Sequence, residues 1–247
     1  MRRFLLLAVA LLIGSMLFFG CEEEPTSPIE PPRNLTITAN PDGLTLTVSW
    51  TKSLTEDEED GIDGYYIYFN GILENDVEEG VYQYQFSPDE LGTIEVTAYR
   101  DDEESIFASV TTETVDRNNI TLADWDSSDE SSIGWDRLSG IHTLYSTLSE
   151  NADYIDVIWD SRDQTLNSPD QILATGGHET WFAEDDGTGE APGSGSWINI
   201  IDMVVGQSYY VELYDGYYLL LTVDSESEGA ITISYNFQKI QGYKRVY

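Results

Sequence analysis

Apolar and polar residues alternate with a period of two along most of the chain beyond residue 33. Residues 44–50 read LTLTVSW, so that Leu, Val and Trp share one face while threonine and serine occupy the other. The preceding segment 34–39 has the same alternation, and an Asp42–Gly43 pair between the two segments indicates a turn. Such a pattern is typical of antiparallel strands with one buried face. No segment beyond residue 33 keeps a helical period, so the chain is predicted to be all-β.

The first half of the chain is predicted to fold as a β-sandwich. Further strands are expected at residues 64–69, 81–86, 93–99 and 105–114. An Asn70–Gly71 pair closes the first of these strands with a strong turn signal. About seven short strands in roughly 85 residues, separated by turn residues, are typical of a sandwich.

The order of three motifs in this half resembles a fibronectin type III domain. The motifs are LTVSW at residues 46–50, DGYYIYFNG at 63–71 and IEVTAY at 94–99. The resemblance covers about residues 31–115 and implies that Trp50 fills the core. Domains of this family are mostly spacers or binding scaffolds, so the resemblance implies architecture more than activity. We therefore assign residues 34–115 to a fibronectin type III-like domain.

Residues 118–247 are predicted to form a second, C-terminal β-sandwich. Expected strands lie at residues 120–125, 140–148, 154–159, 180–183, 197–203, 208–214, 217–223 and 230–237. The Asp215–Gly216 pair between two alternating segments predicts a two-residue hairpin loop in a type I′ turn. About eight strands in roughly 130 residues favour a jelly-roll-like or Greek-key sandwich. The sequence of this half resembles no family that we recognise.

The N-terminus has the layout of a secretory signal peptide at residues 1–20. Arg2 and Arg3 precede an apolar run, and Gly20 separates that run from Cys21, the only cysteine of the chain. This segment resembles the lipobox of bacterial lipoproteins, which implies cleavage before Cys21 and attachment of lipid to its thiol. The alternative is an uncleaved N-terminal membrane anchor in which the cysteine has no role.

Residues 21–33 are predicted to comprise the lipidated cysteine and a tether. The segment 22–33 reads EEEPTSPIEPPR, in which proline and like charges favour an extended, semi-rigid chain. At about 3.1 Å per residue this segment would span roughly 35–40 Å. Glu22 is not the aspartate that retains some Gram-negative lipoproteins at the inner membrane. The resemblance therefore implies a lipid-anchored protein of the cell envelope, at the outer membrane or cell surface rather than the inner membrane.

The charge balance excludes a nucleic-acid partner. The chain carries 46 acidic and 11 basic residues, which give a formal net charge of −35. So few cations cannot neutralise a phosphate backbone, and the acidic surface repels anionic lipid. The lipid anchor is therefore the expected contact with the membrane. A single cysteine also excludes an intramolecular disulfide.

Clusters of carboxylates in the expected loops are candidate ligands for a structural calcium ion, because Ca²⁺ prefers six to eight oxygen ligands. None of the clusters has the spacing of an EF-hand. The alternative is a solvated acidic surface, and no other cofactor is expected. The candidate metal ligands are Asp57, Asp60, Asp63, Asp124, Asp126, Asp129, Asp185 and Asp186.

Two tryptophans of the second half are candidate ligand-binding residues. Trp181 and Trp197 flank the loop AEDDGTGEAPGSGS, which is rich in Gly, Ser and acidic residues. Aromatic rings beside carboxylates can bind a sugar by stacking and hydrogen bonding. The alternative is that both rings pack in the core, where tryptophan is a large apolar filler.

The sequence lacks the catalytic motifs that would indicate an enzyme. His178–Glu179 begins like a zinc protease motif, but the second histidine is missing, and His142 stands alone. No nucleophile elbow or phosphate-binding loop is present. We therefore expect a non-enzymatic envelope lipoprotein whose distal sandwich binds a glycan or a protein. The alternatives are a structural or assembly lipoprotein, or an accessory module of a polysaccharide-degrading or transport system.

Overall fold

A computed structural model of the protein describes residues 27–125, 129–174 and 176–247. The predicted lipidation site Cys21 and the candidate ligand Asp126 lie outside the described residues. Within those ranges the strands form four antiparallel sheets that pack as two β-sandwiches, which confirms the predicted fold class. No helix in the same ranges is long and apolar enough to cross a lipid bilayer.

The first domain has a three-stranded sheet facing a larger one. The three-stranded sheet has the order β1–β2–β5, and the larger sheet has the order β4–β3–β6, with β7 and β8 both paired to β6. This arrangement has the fibronectin type III-like architecture that the motifs predicted. A 3₁₀ turn at Thr55–Asp57 follows β2. The strands are β1 (Arg33–Ala39), β2 (Leu46–Thr51), β3 (Gly64–Phe69), β4 (Ile72–Glu78), β5 (Gln83–Phe86), β6 (Thr93–Arg100), β7 (Glu103–Glu104) and β8 (Ala108–Thr111).

The core of the first domain forms around Trp50, as the motif resemblance implied. Trp50 is buried, and its ring meets that of Tyr65 edge-on at 5.5 Å between centroids. The Tyr65 hydroxyl donates to Glu56 at 2.5 Å and accepts the backbone N–H of Ser53 at 2.9 Å. Burial, together with the Glu56 carboxylate, raises the pKa of Tyr65 well above its usual range. The residues before β3 are thus fixed to the sandwich by a buried phenol.

Part of the predicted tether lies against the first domain instead of extending away from it. The backbone N–H of Glu30 donates to the Thr55 hydroxyl at 2.9 Å, and the Ser53 hydroxyl donates to the Glu30 carbonyl at 2.5 Å. The guanidinium of Arg100 donates to the Ser27 carbonyl at 3.2 Å. Because these partners are part of the folded domain, the free length of the tether ends at about Ser27.

The second domain consists of two five-stranded sheets, with the orders β11–β10–β12–β13–β15 and β14–β16–β17–β18–β9. Short helical turns lie at Ser149–Tyr154 and Pro169–Ile172. The strands in the described chain are β9 (Val115–Leu122), β10 (Ser132–Trp135), β11 (His142–Tyr145), β12 (Val157–Asp160), β13 (Thr165–Asn167), β14 (Thr180–Glu184), β15 (Ile200–Asp202), β16 (Ser208–Leu213), β17 (Tyr218–Ser227) and β18 (Ala230–Phe237).

The apolar side chains that alternate along β16, β17 and β18 point into one core between the two sheets. Trp159 is fully buried there, and its indole N–H donates to the Gly229 carbonyl at 2.8 Å. A buried indole with a satisfied N–H gives its apolar surface to the core without leaving a polar group unpaired. The periodicity of β16 and β17 therefore predicted their inward faces correctly.

The strand β10 was not expected from the sequence. All four of its residues, SIGW, are buried, so its sequence shows no alternation of polar and apolar positions. It pairs with β11 on one side and β12 on the other. At Gly134 a Cβ atom would lie 1.9 Å from the carbonyl oxygen of Tyr154. Because the Tyr154 carbonyl comes so close, this position of β10 requires glycine. In a sequence, however, glycine indicates a turn and not a strand.

The hairpin between β16 and β17 is confirmed, but the predicted type I′ turn is wrong. The Leu213 N–H donates to the Tyr217 carbonyl at 2.9 Å, and the Gly216 N–H donates to the Leu213 carbonyl at 2.8 Å. Gly216 has a φ of +79°, whereas Asp215 does not adopt a positive φ. A type I′ turn needs two residues with positive φ. The loop is thus a three-residue one, in which Gly216 alone adopts the left-handed conformation.

The last nine residues, 239–247, run back across both domains, and we call them the C-terminal strap. Tyr243 is fully buried in the core of the first domain. The Lys244 N–H donates to the Gly43 carbonyl of the first domain at 2.9 Å, while the Lys244 carbonyl accepts the Ala191 N–H of the second domain at 2.9 Å. The strap therefore joins the two sandwiches through backbone hydrogen bonds and a shared core.

The first domain is not formed by one continuous segment of the chain. Strand β9 begins at Val115, inside the segment assigned to the first domain, and pairs with β18 of the second. The strap, which follows β18, completes the first domain's core. Sequence separation conceals this arrangement, because the strap is more than a hundred residues away from the strands that it covers.

Candidate functional site

A cleft in the second domain collects aromatic and charged side chains from several segments. It lies beside β10 and β11 and beneath the loop that follows β16. Its volume is about 660 Å³, within the range of small-ligand sites. We call it the tyrosine cleft. The lining residues that bear on its chemistry are Arg137, Tyr145, Asp153, Tyr154, Tyr214 and Asp215.

The floor of the tyrosine cleft is a guanidinium held between two carboxylates. Arg137 donates to both oxygens of Asp156 at 2.8 Å, and its Nε donates to Asp215 Oδ2 at 2.7 Å. A further bond of 2.7 Å joins Arg137 to the Trp135 carbonyl. Burial by itself lowers the pKa of Arg137, but the bonds to Asp156 and Asp215 outweigh it and raise that pKa above its usual value. Arg137 is therefore a permanent structural cation.

Hydrogen-bond acceptors remain free beside this floor. Asp215 Oδ1 is buried and has no hydrogen-bond partner among the described residues. Asp153 is exposed at the cleft, and no described residue donates to its carboxylate. A buried acceptor without a donor carries an uncompensated desolvation cost. The exposed carboxylate of Asp153 is thus able to accept hydrogen bonds from a ligand, whereas Asp215 Oδ1 has no surface that a ligand can contact.

Aromatic rings form the walls of the tyrosine cleft. Tyr145 and Tyr154 are nearly parallel, with ring centroids 6.1 Å apart, and Tyr154 is 63% exposed. On the other side Tyr214 is 46% exposed and stacks on His178 at 3.7 Å. The guanidinium of Arg137 lies 5.5 Å from the centre of the Tyr214 ring. Stacking holds both exposed tyrosines in place before any ligand arrives.

The sequence pattern did not predict this cleft. Its residues come from separate strands and loops: the pairing of β10 with β11 and β12 brings one wall together, and the packing of the second sheet adds Tyr214 and Asp215. One signal was available in the hairpin sequence Tyr214-Asp215-Gly216-Tyr217, because an aromatic residue in a turn cannot reach the core as easily as one in a strand. A second was Arg137, one of only 11 basic residues in the chain.

The structure places Trp181 and Trp197 on the outer face of the sheet that contains β14. Phe182 faces the core and pairs with Ile198 in an antiparallel bridge, in which each residue donates a backbone hydrogen bond to the other. Because neighbouring residues of a strand point to opposite faces, Trp181 and Trp197 lie together on the outer face, as a diagonal cross-strand pair. Trp197 packs on a small cluster that includes Tyr218, at 6.2 Å between ring centroids. Both indoles are half-buried, so they are partly packed and partly accessible.

A larger groove of about 820 Å³ lies beside these tryptophans, and its lining contains neither an aromatic ring nor a cation. Ile198 and Ile200 form part of its apolar wall and are about half exposed. The candidate metal ligands Asp185 and Asp186 lie at its rim, where they accept the backbone N–H groups of Gly187 at 2.8 Å and Thr188 at 3.0 Å. These bonds give both carboxylates a role in shaping the loop.

The other acidic candidates are distributed over separate places. Asp57 pairs with Lys52 at 2.5 Å, Asp63 accepts the Asp101 N–H at 2.7 Å, and Asp124 accepts the hydroxyl of Ser161. Asp60 and Asp129 are exposed. Within residues 27–125, 129–174 and 176–247, no three carboxylate, histidine or cysteine side chains are arranged to hold a metal ion. The structure therefore does not bring the described candidates together as one calcium site.

Both histidines contact tyrosines. The Nδ1 of His142 lies 3.1 Å from the Tyr235 hydroxyl, and burial lowers the pKa of His142. His178 stacks on Tyr214 at the tyrosine cleft, as described above. Each imidazole thus has a packing role that accounts for its position.

Comparison with known proteins shows similarity to solved structures at the level of the fold. No protein-family model matches the chain, and a search of curated proteins found no match. Among solved structures, a family DUF4466 protein from Parabacteroides merdae is 11% identical, with a TM-score of 0.40, over 87% of this chain and all of the other. A two-domain fibronectin type III segment of chicken tenascin is 14% identical, with a TM-score of 0.29, over 83% of this chain and 98% of the other.

A Clostridium perfringens spore cortex lytic enzyme is 16% identical over 34% of this chain, with a TM-score of 0.29. The match covers 28% of the length of that enzyme. At these levels of identity the similarity concerns the fold alone.

Proposed function

We propose that the protein is a non-enzymatic, lipid-anchored envelope protein whose second sandwich binds an extracellular glycan. The signal-like N-terminus and Cys21 support the anchor. The tyrosine cleft is the observation that supports the binding role. It combines exposed aromatic rings with free carboxylate oxygens, and sugar-binding sites use rings for the faces of a pyranose and oxygens for its hydroxyl groups.

The contacts that hold the end of the tether against the first domain limit the distance between the membrane and that domain. If Cys21 carries lipid, only the residues between Cys21 and Ser27 separate the membrane from the first domain. At about 3.1 Å per residue this distance is at most roughly 20 Å. The first domain then acts as a spacer that lifts the second domain, because the C-terminal strap holds the two sandwiches together.

The anchor is tested by replacing Cys21 with serine and fractionating the cells. We expect the native protein to remain with the membranes after a carbonate wash and the Cys21→Ser variant to be released or to retain its leader. Intact-mass measurement of the native product should show a chain that begins at Cys21 and carries acyl groups. A native product that retains the leader, or that lacks acyl mass, contradicts this part of the proposal.

The binding role is tested on a glycan array with the fragment that begins at residue 27. We expect Tyr154→Ala and Tyr214→Ala to abolish retention of the glycans that the native fragment binds. Phe107→Ala is the matched control, because Phe107 is 59% exposed on the first domain. The Trp181→Ala and Trp197→Ala variants test the outer face separately. Loss of retention in these two variants alone would move the site to the tryptophan face.

A role in assembly is the second candidate, and one observation favours it. Ile106 and Phe107 are adjacent in the first domain and are 75% and 59% exposed. Neighbouring apolar side chains of this size are common at protein contacts. In that case gentle solubilisation should retain a stable complex that Ile106→Ser disrupts, and no glycan should bind.

A further inference from the structure

The tyrosine cleft has a charge balance that selects among glycans. Four carboxylates line it, from Asp136, Asp153, Asp156 and Asp215, against one guanidinium. That guanidinium is committed to Asp156, Asp215 and the Trp135 carbonyl. No other basic side chain lines the cleft. An acidic sugar would therefore meet carboxylates without a cation to compensate its charge.

Asp153 is the exposed acceptor of the cleft. A neutral hydroxyl and an ammonium group can both donate to its carboxylate, but only the ammonium adds the attraction between opposite net charges. The excess of carboxylates in the lining therefore favours an ammonium group over a hydroxyl.

The aromatic walls suit a ring that carries such a group. Tyr154 and Tyr214 expose 63% and 46% of their surface, and each is backed by a second ring. The faces of tyrosine attract both the C–H groups of a pyranose and a nearby cation. An amino sugar offers both features in one residue.

The whole chain strengthens this preference. The formal net charge of −35 attracts cations and repels anions over distances comparable to the Debye length. This attraction alone is not specific, because it acts at every acidic surface. Specificity must come from the rings and from Asp153 in the tyrosine cleft.

We propose that the tyrosine cleft binds a glycan with free amino groups, of the glucosamine type, through Asp153 and the exposed rings of Tyr154 and Tyr214. This inference rests on the glycan-binding function proposed above and names the class of sugar. An N-acetylated sugar of the same length lacks the positive charge but keeps the ring, so the two form a matched pair of ligands.

The test uses calorimetry on the fragment that begins at residue 27, with hexamers of glucosamine and of N-acetylglucosamine at pH 6. We expect the glucosamine hexamer to bind at least about tenfold more tightly. Tyr154→Ala and Asp153→Asn should each weaken its binding by about tenfold or more. Asp60→Asn is the matched control, because it removes an exposed carboxylate from the first domain and should leave affinity unchanged.

The possible outcomes separate this inference from the function on which it rests. Equal affinity for both hexamers, or binding of neutral glycans alone, overturns the amino-sugar inference and leaves glycan binding in place. Equal loss in Asp153→Asn and Asp60→Asn also overturns it, since the attraction would then be general. Failure of every glycan to bind overturns both proposals. Circular dichroism of each variant establishes that it is folded.

Discussion

The guanidinium of Arg245 donates to the backbone carbonyl of Asp89 at 2.5 Å, although 156 residues separate them in the chain. Arg245 also pairs with Glu190 of the second domain at 2.7 Å, so one side chain contacts both sandwiches. Tyr247 donates from its hydroxyl to the same Asp89 carbonyl at 3.0 Å. The C-terminal strap therefore fixes the first domain to the second through several independent contacts.

Removing the aromatic side chain from the middle of the strap should destabilise the first domain. Tyr243 is fully buried among that domain's apolar residues. We expect Tyr243→Ala to lower the free energy of unfolding by about 3–5 kcal/mol, the usual cost of removing a buried aromatic ring. Urea unfolding followed by tryptophan fluorescence measures this change. Tyr247→Ala is the control, because Tyr247 is 44% exposed and should cost about 1 kcal/mol or less.

Removing only the hydroxyl of Tyr243 should have a different effect. That hydroxyl is buried near the Arg245 guanidinium but makes no hydrogen bond of good geometry with a described residue. Burying a polar group without a partner is unfavourable, so Tyr243→Phe should leave the free energy of unfolding unchanged or raise it by up to about 1 kcal/mol. A clear loss of stability in the same urea experiment would show that the hydroxyl has a partner, such as a bound water.

Breaking the ion pairs at the floor of the tyrosine cleft should also be costly. In Arg137→Met the carboxylate of Asp156, whose side chain is 4% exposed, loses its cation. We expect a loss of about 3 kcal/mol in the free energy of unfolding, as for other buried pairs that lose one member. Arg137→Met combined with Asp156→Asn should recover part of this loss, because the carboxylate that then remains without its cation is Asp215, which is more exposed than Asp156.

The exposed pair of Lys52 and Asp57 provides the comparison for that experiment. Their side chains are 37% and 65% exposed. Lys52→Met should therefore cost no more than about 1 kcal/mol. Equal losses in Arg137→Met and Lys52→Met would contradict the structural role assigned to Arg137.

Part of the stability should depend on pH through Asp160. Its side chain is 3% exposed and accepts two hydrogen bonds from Arg162, which lower the pKa of Asp160 below its usual value. A lowered folded-state pKa contributes stability above the ordinary value of about 3.9, and this contribution is lost as pH falls through the folded-state pKa. Asp160→Asn should make the free energy of unfolding less dependent on pH as the pH falls below about 4.

Urea titrations at a series of acidic pH values measure this dependence. Asp60→Asn, at an exposed carboxylate of the first domain, should retain the native pH profile. Native and Asp160→Asn proteins with the same acid dependence would show that Asp160 is not a source of it.

Alternation along the chain was sufficient to predict much of the fold. It identified the inward faces of β2, β16 and β17, and the motif around Trp50 identified the core of the first domain. It failed for β10, because all four residues are buried and a short strand between two neighbours needs no polar face. It also failed for the turn at Asp215–Gly216, since the same dipeptide fits more than one turn type.

The candidate site, unlike the fold, was mostly not predicted from the sequence. The sequence drew attention to Trp181 and Trp197, whose half-buried rings lie on one face of a sheet, as the bridge between Phe182 and Ile198 requires. For the tyrosine cleft it offered only two weak signals, the tyrosines of the hairpin turn and the scarcity of basic residues such as Arg137. Arg137 and Asp215 are 78 residues apart, and nothing in the local pattern of either indicates the other.

The acidic character, the all-β fold and the division into two sandwiches follow from the sequence alone, because charge and a period of two are properties of neighbouring residues. Only the folded chain shows that Asp156 and Asp215 enclose Arg137, and that Tyr243 completes the core of a domain that begins about two hundred residues earlier. Such contacts depend on how the sheets pack, since burial removes a side chain from water only when distant strands close over it.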